Sequence, residues 1–311
     1  RFPDILERKY RAKYEADPGK YGNFSWRKED VEIILKRFAG ITVEGMSMDS
    51  GPLMAIAGGV SPDVIYVNFR QSDTYIQEGF LYPLDKPEDN YYTGLSDQER
   101  EFMLHEKILP VIKRRKIGSE TEHIWAFPRR GLSGRVMFYR KDLLNSYGIP
   151  YPDNNWTWED FLSYCKRVTN PEQGTYGVRL GAGQQESWYW IPFLWSAGGD
   201  AMHYDEEKDE WSAIFDSDEA AVALDFYLRL TTERWIDHNN VTRYGYAMKE
   251  AQGYQKWELG QIAFMPSYLD ERMFATINPD LVGMVPVPLG YPGKDGKRTR
   301  GSEINCGMQG I

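Results

Sequence analysis

Cysteine, histidine and long apolar runs are all scarce in this sequence of 311 residues. Its two cysteines, Cys165 and Cys306, lie far apart and form no Cys-x-x-Cys pair, so each is interpreted as a buried thiol. The four histidines show neither HxxxH nor HExxH spacing, and we therefore predict no metal and no cofactor. No apolar run approaches the roughly 18–20 residues of a membrane span.

Basic runs are also missing, which excludes one large class of partner. Lysine and arginine number 37 against 46 aspartates and glutamates, so the formal net charge is −9. Binding to nucleic acid phosphates needs clustered positive charge, and we expect no nucleic acid partner. The chain has no Gly-x-Ser-x-Gly nucleophile motif, and Gly181-Ala-Gly183 lacks the third glycine of a dinucleotide loop because Glu186 stands there.

Helix and strand patterns alternate along the first half of the chain, which is typical of α/β architecture. The predicted segments are a helix at 31–38, a strand at 41–43, a helix at 51–59 and a strand at 62–67. The last of these is a continuous apolar run, typical of a strand buried on both faces of a parallel sheet.

Helix starts are marked by capping residues. Ser96 with Glu99 predicts a helix that runs to about Leu109, and Thr157 with Asp160 predicts a helix at 158–168. Asp216 and Glu219 predict a further helix at 219–233, and its buried side is expected to carry Ala221, Leu224, Leu228 and the flanking aromatics. Residues 129–135 are predicted to form a polar loop before a strand at 136–139.

The segment from Trp188 to Trp195 has four large aromatic rings in eight residues. One helix of this sequence cannot bury all of them on one face, so at least one ring is expected to line a cavity. The apolar faces of sugar rings stack on tryptophan and tyrosine, and Trp188 and Tyr189 are the candidates nearest the helix start.

Carboxylates in turns offer a second, catalytic interpretation. A glycosidase needs two carboxyl groups about 5–10 Å apart on either side of the sugar bond. The candidates lie beside glycine, serine or aromatic residues, and they are Asp49, Glu186, Asp270, Glu271 and Glu303. A carbohydrate-active hydrolase therefore stays open as an alternative.

Several motifs, in this order, resemble the extracellular solute-binding proteins of ABC importers. The class they resemble is the large carbohydrate-binding one that includes maltose-binding protein. The segments are Gly58-Gly-Val-Ser-Pro-Asp-Val64, Glu78-Gly-Phe-Leu-Tyr-Pro-Leu84, Phe138-Tyr-Arg-Lys-Asp-Leu-Leu144, Asn155-Trp-Thr-Trp-Glu-Asp-Phe161, Leu194-Trp-Ser-Ala-Gly-Gly-Asp200, Gly260-Gln-Ile-Ala-Phe264 and Val282-Gly-Met-Val-Pro-Val-Pro288.

The resemblance implies a type II periplasmic-binding-protein fold, in which two α/β lobes are joined by a hinge and hold ligand in the cleft between them. It implies a first lobe at 1–137, a second at 138–300 and a crossover back to the first at 301–311. The opening strand and final helices of the family are not found, so we expect the fold to be incomplete at both ends.

Site residues follow from the same resemblance. Trp188 and Tyr189 match the sugar-stacking aromatic position, Ser302 and Glu303 match a turn that touches ligand, and Arg129, Arg130 and Arg135 border the cleft. The family usually has a tryptophan where Asp270 stands. Either Tyr268 supplies that ring from a shifted position, or the ligand is not held there by stacking. Because arginines pair with acidic groups, an anionic ligand such as a uronate or phosphorylated sugar stays an alternative.

The function implied is capture of a carbohydrate for an ABC importer, without catalysis. The partners implied are the sugar and the membrane permease, and we expect a monomer. The place implied is the periplasm or the cell exterior, with a lipid anchor in a preceding segment as one arrangement. A sensor or scaffold module derived from a binding protein is a further alternative.

Overall fold

The structure is a computed structural model. It describes residues 2–21, 23–25, 27, 29, 34, 50–67, 69–87, 92–104, 106, 108–128, 133–183, 186–208, 210–249, 253–268, 276–305 and 307–311. The predicted helix at 31–38 and strand at 41–43 fall almost wholly outside these residues. The chain divides into two compact units, Arg1–Arg129 with Gly307–Ile311, and Arg130–Cys306. The lobe boundaries near 137 and 300 stay a prediction.

Helices and strands alternate along both units, as α/β architecture requires. The helices are α1 Phe2–Ala16, α2 Pro18–Tyr21, α3 Ser50–Ala57, α4 Phe69–Gln77, α5 Asp97–Met103, α6 Leu109–Ile112, α7 Lys141–Ser146, α8 Trp158–Val168, α9 Glu186–Ser196, α10 Asp218–Thr232 and α11 Gly253–Glu258. The strands are β1 Ile65–Val67, β2 Lys113–Arg115, β3 Glu122–Ile124, β4 Phe127–Pro128, β5 Ser133–Arg140, β6 Tyr176–Arg179, β7 Met202–Asp205, β8 Glu210–Ala213, β9 Arg234–Ile236, β10 Thr242–Tyr244, β11 Ala247–Met248, β12 Ile262–Tyr268, β13 Val282–Val285, β14 Ile304–Asn305 and β15 Met308–Gly310.

In the first unit, β15 lies between β1 and β4 and is antiparallel to both. The predicted strand at 62–67, expected in a parallel sheet, is therefore wrong in its length and in the direction of its pairing. It covers only Ile65–Val67, because its partner β15 offers three residues, and Tyr66 is exposed rather than buried on a second face. The predicted helix at 51–59 is confirmed as α3.

The capping box at Ser96 and Glu99 is confirmed, although the helix it starts is short. The Ser96 hydroxyl accepts the Glu99 backbone N–H, and the Glu99 carboxylate accepts the Ser96 N–H. These bonds from Ser96 lower the pKa of Glu99. The helix ends at Met103 rather than near Leu109, because Leu104 leaves the helical region at φ −120° and ψ 78°.

The second unit is built on a six-stranded sheet. Its main path is β11-β6-β12-β5-β13, and β14 pairs with the start of β5. Strands β11, β6 and β12 are parallel, whereas β5 is antiparallel to β12 and β13. The predicted loop at 129–135 is wrong at its end. Strand β5 begins at Ser133 because Gly134 pairs with Ile304, which brings Arg135 into the sheet.

Aromatic rings dominate the core of the second unit. Trp158 is fully buried and stacks on Phe226, with ring centroids 4.3 Å apart. Phe193 of α9 packs against both rings, at 5.9 Å from Trp158 and 5.6 Å from Phe226. This cluster joins α8, α9 and α10 into one layer. Aromatic side chains of this size dominate core energetics.

The start and the buried face of α10 both differ from the prediction. The cap is Ser217, whose hydroxyl accepts the Ala220 N–H at 3.1 Å. Leu224 and Leu228 are about half exposed, and Ala221 is exposed as well. The buried face carries Ala220, Ala223, Phe226, Tyr227 and Leu230, so the flanking aromatics are buried as predicted and the other three predicted residues are not. The pairing of Phe226 with Trp158 decides the rotation of this helix, because aromatic rings bury more area than leucines.

The predicted cap at Thr157 is confirmed, and it leads to a testable stability effect. Its hydroxyl accepts the Asp160 N–H at 3.3 Å, and Asp160 accepts the Thr157 N–H at 2.9 Å. Replacing Thr157 with alanine is expected to lower the free energy of unfolding by about 1 kcal/mol. Urea unfolding followed by circular dichroism measures this loss. Thr157→Ser keeps the hydroxyl and serves as the control, and equal losses in both variants would contradict the capping role.

Candidate ligand-binding site

Four strands bring polar and aromatic residues to one edge of the sheet of the second unit. Since β6, β11 and β12 are parallel, their carboxyl ends share an edge, and the antiparallel β5 begins there. Arg179 ends β6, Tyr268 ends β12, Lys249 follows β11 and Arg135 lies near the start of β5. In open α/β sheets, ligands bind outside the carboxyl ends of the strands.

Arg135 contacts several of the residues at this edge, and its side chain is only 6% exposed. It stands opposite Tyr268 in the register of β5 and β12, and its guanidinium carbon lies 5.3 Å from the Tyr268 ring centroid. The same group lies 5.0 Å from the ring of Tyr189. Arg135 Nη1 donates to the backbone carbonyl of Trp188. One buried cation therefore contacts three of the predicted site residues.

The turn at 301–303 completes the cluster. Glu303 Oε1 lies 3.0 Å from Arg135 Nη2, and the Ser302 hydroxyl donates to the Arg135 carbonyl oxygen at 2.6 Å. Gly301 allows the approach to α9, because a Cβ there would lie 2.0 Å from the Cβ of Trp195. Five predicted residues thus meet around Arg135, and they are Trp188, Tyr189, Tyr268, Ser302 and Glu303.

The other three predicted site residues, Arg129, Arg130 and Asp270, lie outside the described residues. Of the two rings predicted to stack on a sugar, Trp188 is half-buried, whereas Tyr189 is only 9% exposed. Trp188 therefore offers the larger exposed surface.

Sequence reasoning missed Arg179, which holds Tyr189 from the other side. Arg179 Nη1 donates to the Tyr189 hydroxyl at 2.5 Å, and its guanidinium carbon lies 5.8 Å from that ring. Tyr189 is therefore fixed between two arginines. The signal available in the sequence was a charged residue directly after the apolar strand residues of β6, at an edge where parallel strands end.

Both described carboxylates from the catalytic alternative have cationic partners. Glu303 pairs with Arg135, and Glu186, the first residue of α9, pairs with Lys249. The Tyr227 hydroxyl donates to Glu186 at 3.4 Å, and burial, together with the nearby Glu186, raises the pKa of Tyr227. Asp49, Asp270 and Glu271 lie outside the described residues.

The described helices and strands form an α/β fold, as the sequence predicts. The chain belongs to the family of bacterial extracellular solute-binding proteins, whose pattern matches residues 26–307. The family resemblance found in the sequence is confirmed. Members of this family are binding proteins rather than enzymes.

Three known proteins that are similar to this chain illustrate the match. A mannitol-binding protein of Pseudomonas aeruginosa is 36% identical over 95 residues, which are 30% of this chain and 21% of that protein. The ABC substrate-binding protein Lmo0181 of Listeria monocytogenes, in complex with cycloalternan, matches with a TM-score of 0.59 and 17% identity over 86% of this chain and 61% of that one. A solute-binding protein of Thermotoga lettingae with bound α-D-tagatose matches with a TM-score of 0.63 and 17% identity, over 85% of this chain and 62% of that one.

The two structural matches confirm the predicted periplasmic-binding-protein fold. The chain spans less than two thirds of the length of each of these relatives. Within the described ranges, no helix combines the length and the apolar character that a membrane crossing needs.

Proposed function

We infer that this chain captures a carbohydrate or polyol outside the cytoplasmic membrane and delivers it to an ABC importer. The observation that carries this proposal is the cluster around Arg135, where aromatic rings and hydroxyl and carboxylate groups meet at the carboxyl edge of the sheet. Family membership and the mannitol, tagatose and cycloalternan named for its relatives support it.

Each group at the edge has a separate role in the proposed complex. Trp188 stacks on the apolar face of a sugar ring, and Ser302 and Glu303 bond to its hydroxyls. Arg135 positions the aromatic rings through its contacts with Trp188, Tyr189 and Tyr268. Such preorganisation reduces the entropy lost when ligand binds. Arg129, Arg130 and Asp270 are proposed to add polar contacts.

The proposed mechanism, implied by the family resemblance, is closure about a hinge when ligand binds. Ligand shifts the equilibrium to the closed form because only that form contacts it from both sides. The ligand is released unchanged, and the proposed partner is the membrane permease of the importer. The binding protein itself acts as a monomer.

A thermal-shift panel of the purified chain tests this proposal. The panel contains mannitol, tagatose, maltose, longer glucans and uronates. A melting temperature that rises with the concentration of one sugar class is expected, because ligand that binds only the folded state stabilises it by about 2.7 kcal/mol at 100 times Kd. No shift across the panel would contradict carbohydrate binding, and turnover of a glycan would favour the hydrolase.

Trp188→Ala is expected to abolish the sugar-dependent shift and to leave the melting temperature without ligand within a few degrees. Its contact with Arg135 is made by the backbone carbonyl, which alanine keeps. The matched control is Trp211→Ala, because Trp211 lies on the hairpin of β7 and β8 and is 67% exposed. Loss of the shift in both variants, or a large loss of stability in Trp188→Ala, would contradict the stacking role.

A further inference from the structure

Arg179 is a buried cation whose known contacts do not balance its charge. Its side chain is 7% exposed, at the carboxyl end of β6. Nη1 donates to the neutral hydroxyl of Tyr189, whereas the buried Nε has no hydrogen-bond partner among the described residues. Guanidinium carries five N–H donors in a rigid fork, so most of its binding capacity is not used by this one bond.

The carboxylates described at this edge are already paired with other cations. Glu303 pairs with Arg135, and Glu186 pairs with Lys249. Among the residues that the structure describes, the edge therefore has one cation in excess, and that cation is Arg179. Burying a charge without an opposite charge is costly, so this position favours an anion supplied from outside.

Neighbouring residues hold the guanidinium in place near solvent. The ring of Tyr254 lies 4.2 Å from its central carbon, and this cation–π contact offsets part of the cost of burial. Tyr254 is itself 50% exposed, so one ring separates the cation from water. Gly253 leaves space for the arginine stem, since a Cβ there would lie 2.8 Å from Nε. The head is thus fixed before any ligand arrives.

We propose that Arg179 binds an anionic group of the ligand, so that the captured solute is an acidic sugar derivative with a carboxylate or a phosphate. This proposal rests on the proposed function, because it assigns the substrate class of the same edge. A planar guanidinium pairs with two oxygens of either group at once. The neutral part of the sugar is proposed to contact Trp188 and the turn at Ser302.

Matched pairs of neutral and acidic probes test the proposal by isothermal titration calorimetry on the purified chain. The pairs are D-glucose with D-glucuronate, D-glucose with glucose 6-phosphate, and mannitol with mannitol 1-phosphate, and inorganic phosphate is tested alone. At least one acidic sugar is expected to bind about 10–100 times more tightly than its neutral partner, as a charged hydrogen-bonded pair would give. The uronate and phosphate arms distinguish the two anions.

Arg179→Met keeps the length of the side chain and removes its charge. It is expected to abolish the preference for the acidic probe, so that the affinities for the acidic and the neutral partner differ by less than about threefold, a difference below 1 kcal/mol. In this variant no described carboxylate loses its partner, whereas the Tyr189 hydroxyl loses its donor, so the melting temperature without ligand is measured alongside to confirm that the variant is folded. Arg298→Met removes a charge from the pair with Glu159 in the same unit and should leave the preference intact.

The outcomes separate the two proposals. Binding of neutral sugars without any preference for acidic ones would overturn the role of Arg179 and leave carbohydrate capture standing. The absence of binding by every sugar would overturn capture itself. If Arg179→Met does not fold, the comparison of probes on the unchanged chain still decides. A preference that survives in a folded Arg179→Met, or binding of phosphate alone, would also overturn the assignment.

Discussion

Replacing Arg135 with methionine is expected to lower the free energy of unfolding by about 3–5 kcal/mol and to abolish ligand binding. The substitution leaves the carboxylate of Glu303, which is only 12% exposed, without its cation. It also removes the donor to the Trp188 carbonyl and the group that lies over Tyr189 and Tyr268. Urea unfolding measures the first effect, and the thermal-shift panel measures the second.

A second substitution distinguishes the loss of a charge partner from the loss of packing. Adding Glu303→Gln to Arg135→Met removes the uncompensated charge, so the double variant is expected to be more stable than the single one. The surface control is Lys208→Met, because the Lys208 side chain is 70% exposed and ion pairs at the surface contribute little to stability. An Arg135→Met variant as stable as this control would refute the central role of Arg135.

Trp158→Ala is expected to lower the free energy of unfolding by a similar amount, about 3–5 kcal/mol. The ring is fully buried, stacks on Phe226 at 4.3 Å and contacts Phe193 at 5.9 Å, so its removal leaves a cavity between three helices. Phe193 lies one turn after Tyr189 on α9. The same cavity is therefore expected to weaken ligand binding as well as stability.

Two variants control this prediction. Trp158→Phe keeps most of the apolar ring and should lose much less stability, particularly because the buried indole Nε1 has no hydrogen-bond partner to lose. Trp211→Ala removes an exposed ring of the same kind and should change stability by no more than about 0.5 kcal/mol. Equal effects of Trp158→Ala and Trp211→Ala in urea unfolding would contradict the assigned core.

Local features of this protein were predictable because they depend on residues a few positions apart. The capping boxes at Ser96 and Thr157 need only a hydroxyl and a carboxylate three residues later, and both are present. The length of the helix after Ser96 was not predictable in this way. It ends where Leu104 adopts a backbone conformation outside the helical region.

The face of α10 shows how tertiary packing overrides a local pattern. Leu224 and Leu228 have the spacing of a buried stripe but are about half exposed, whereas the aromatics Phe226 and Tyr227 are buried as predicted. Sequence periodicity does not say which of two possible apolar faces meets a partner. The stacked ring of Trp158, which lies on a different helix, decides which face of α10 is buried.

The candidate site was likewise predictable from the sequence only in part. Its aromatic and turn residues could be named from the family resemblance, although Arg135 was expected in a loop and Arg179 was not considered. Pairing of β5 with β12 places Arg135 beside Tyr268, and parallel pairing of β6 with β12 brings Arg179 to the same edge. These residues lie more than 40 positions apart in the sequence, so sequence spacing alone predicts neither placement.

By itself, the sequence determined the α/β class, the family and the helix starts at Ser96 and Thr157, because short-range hydrogen bonds and ordered motifs specify them. Only the tertiary structure decided which cations are buried and which carboxylates neutralise them. The reason is physical: the energy of a buried charge depends on every group within a few ångströms, and strand pairing across the chain selects those groups.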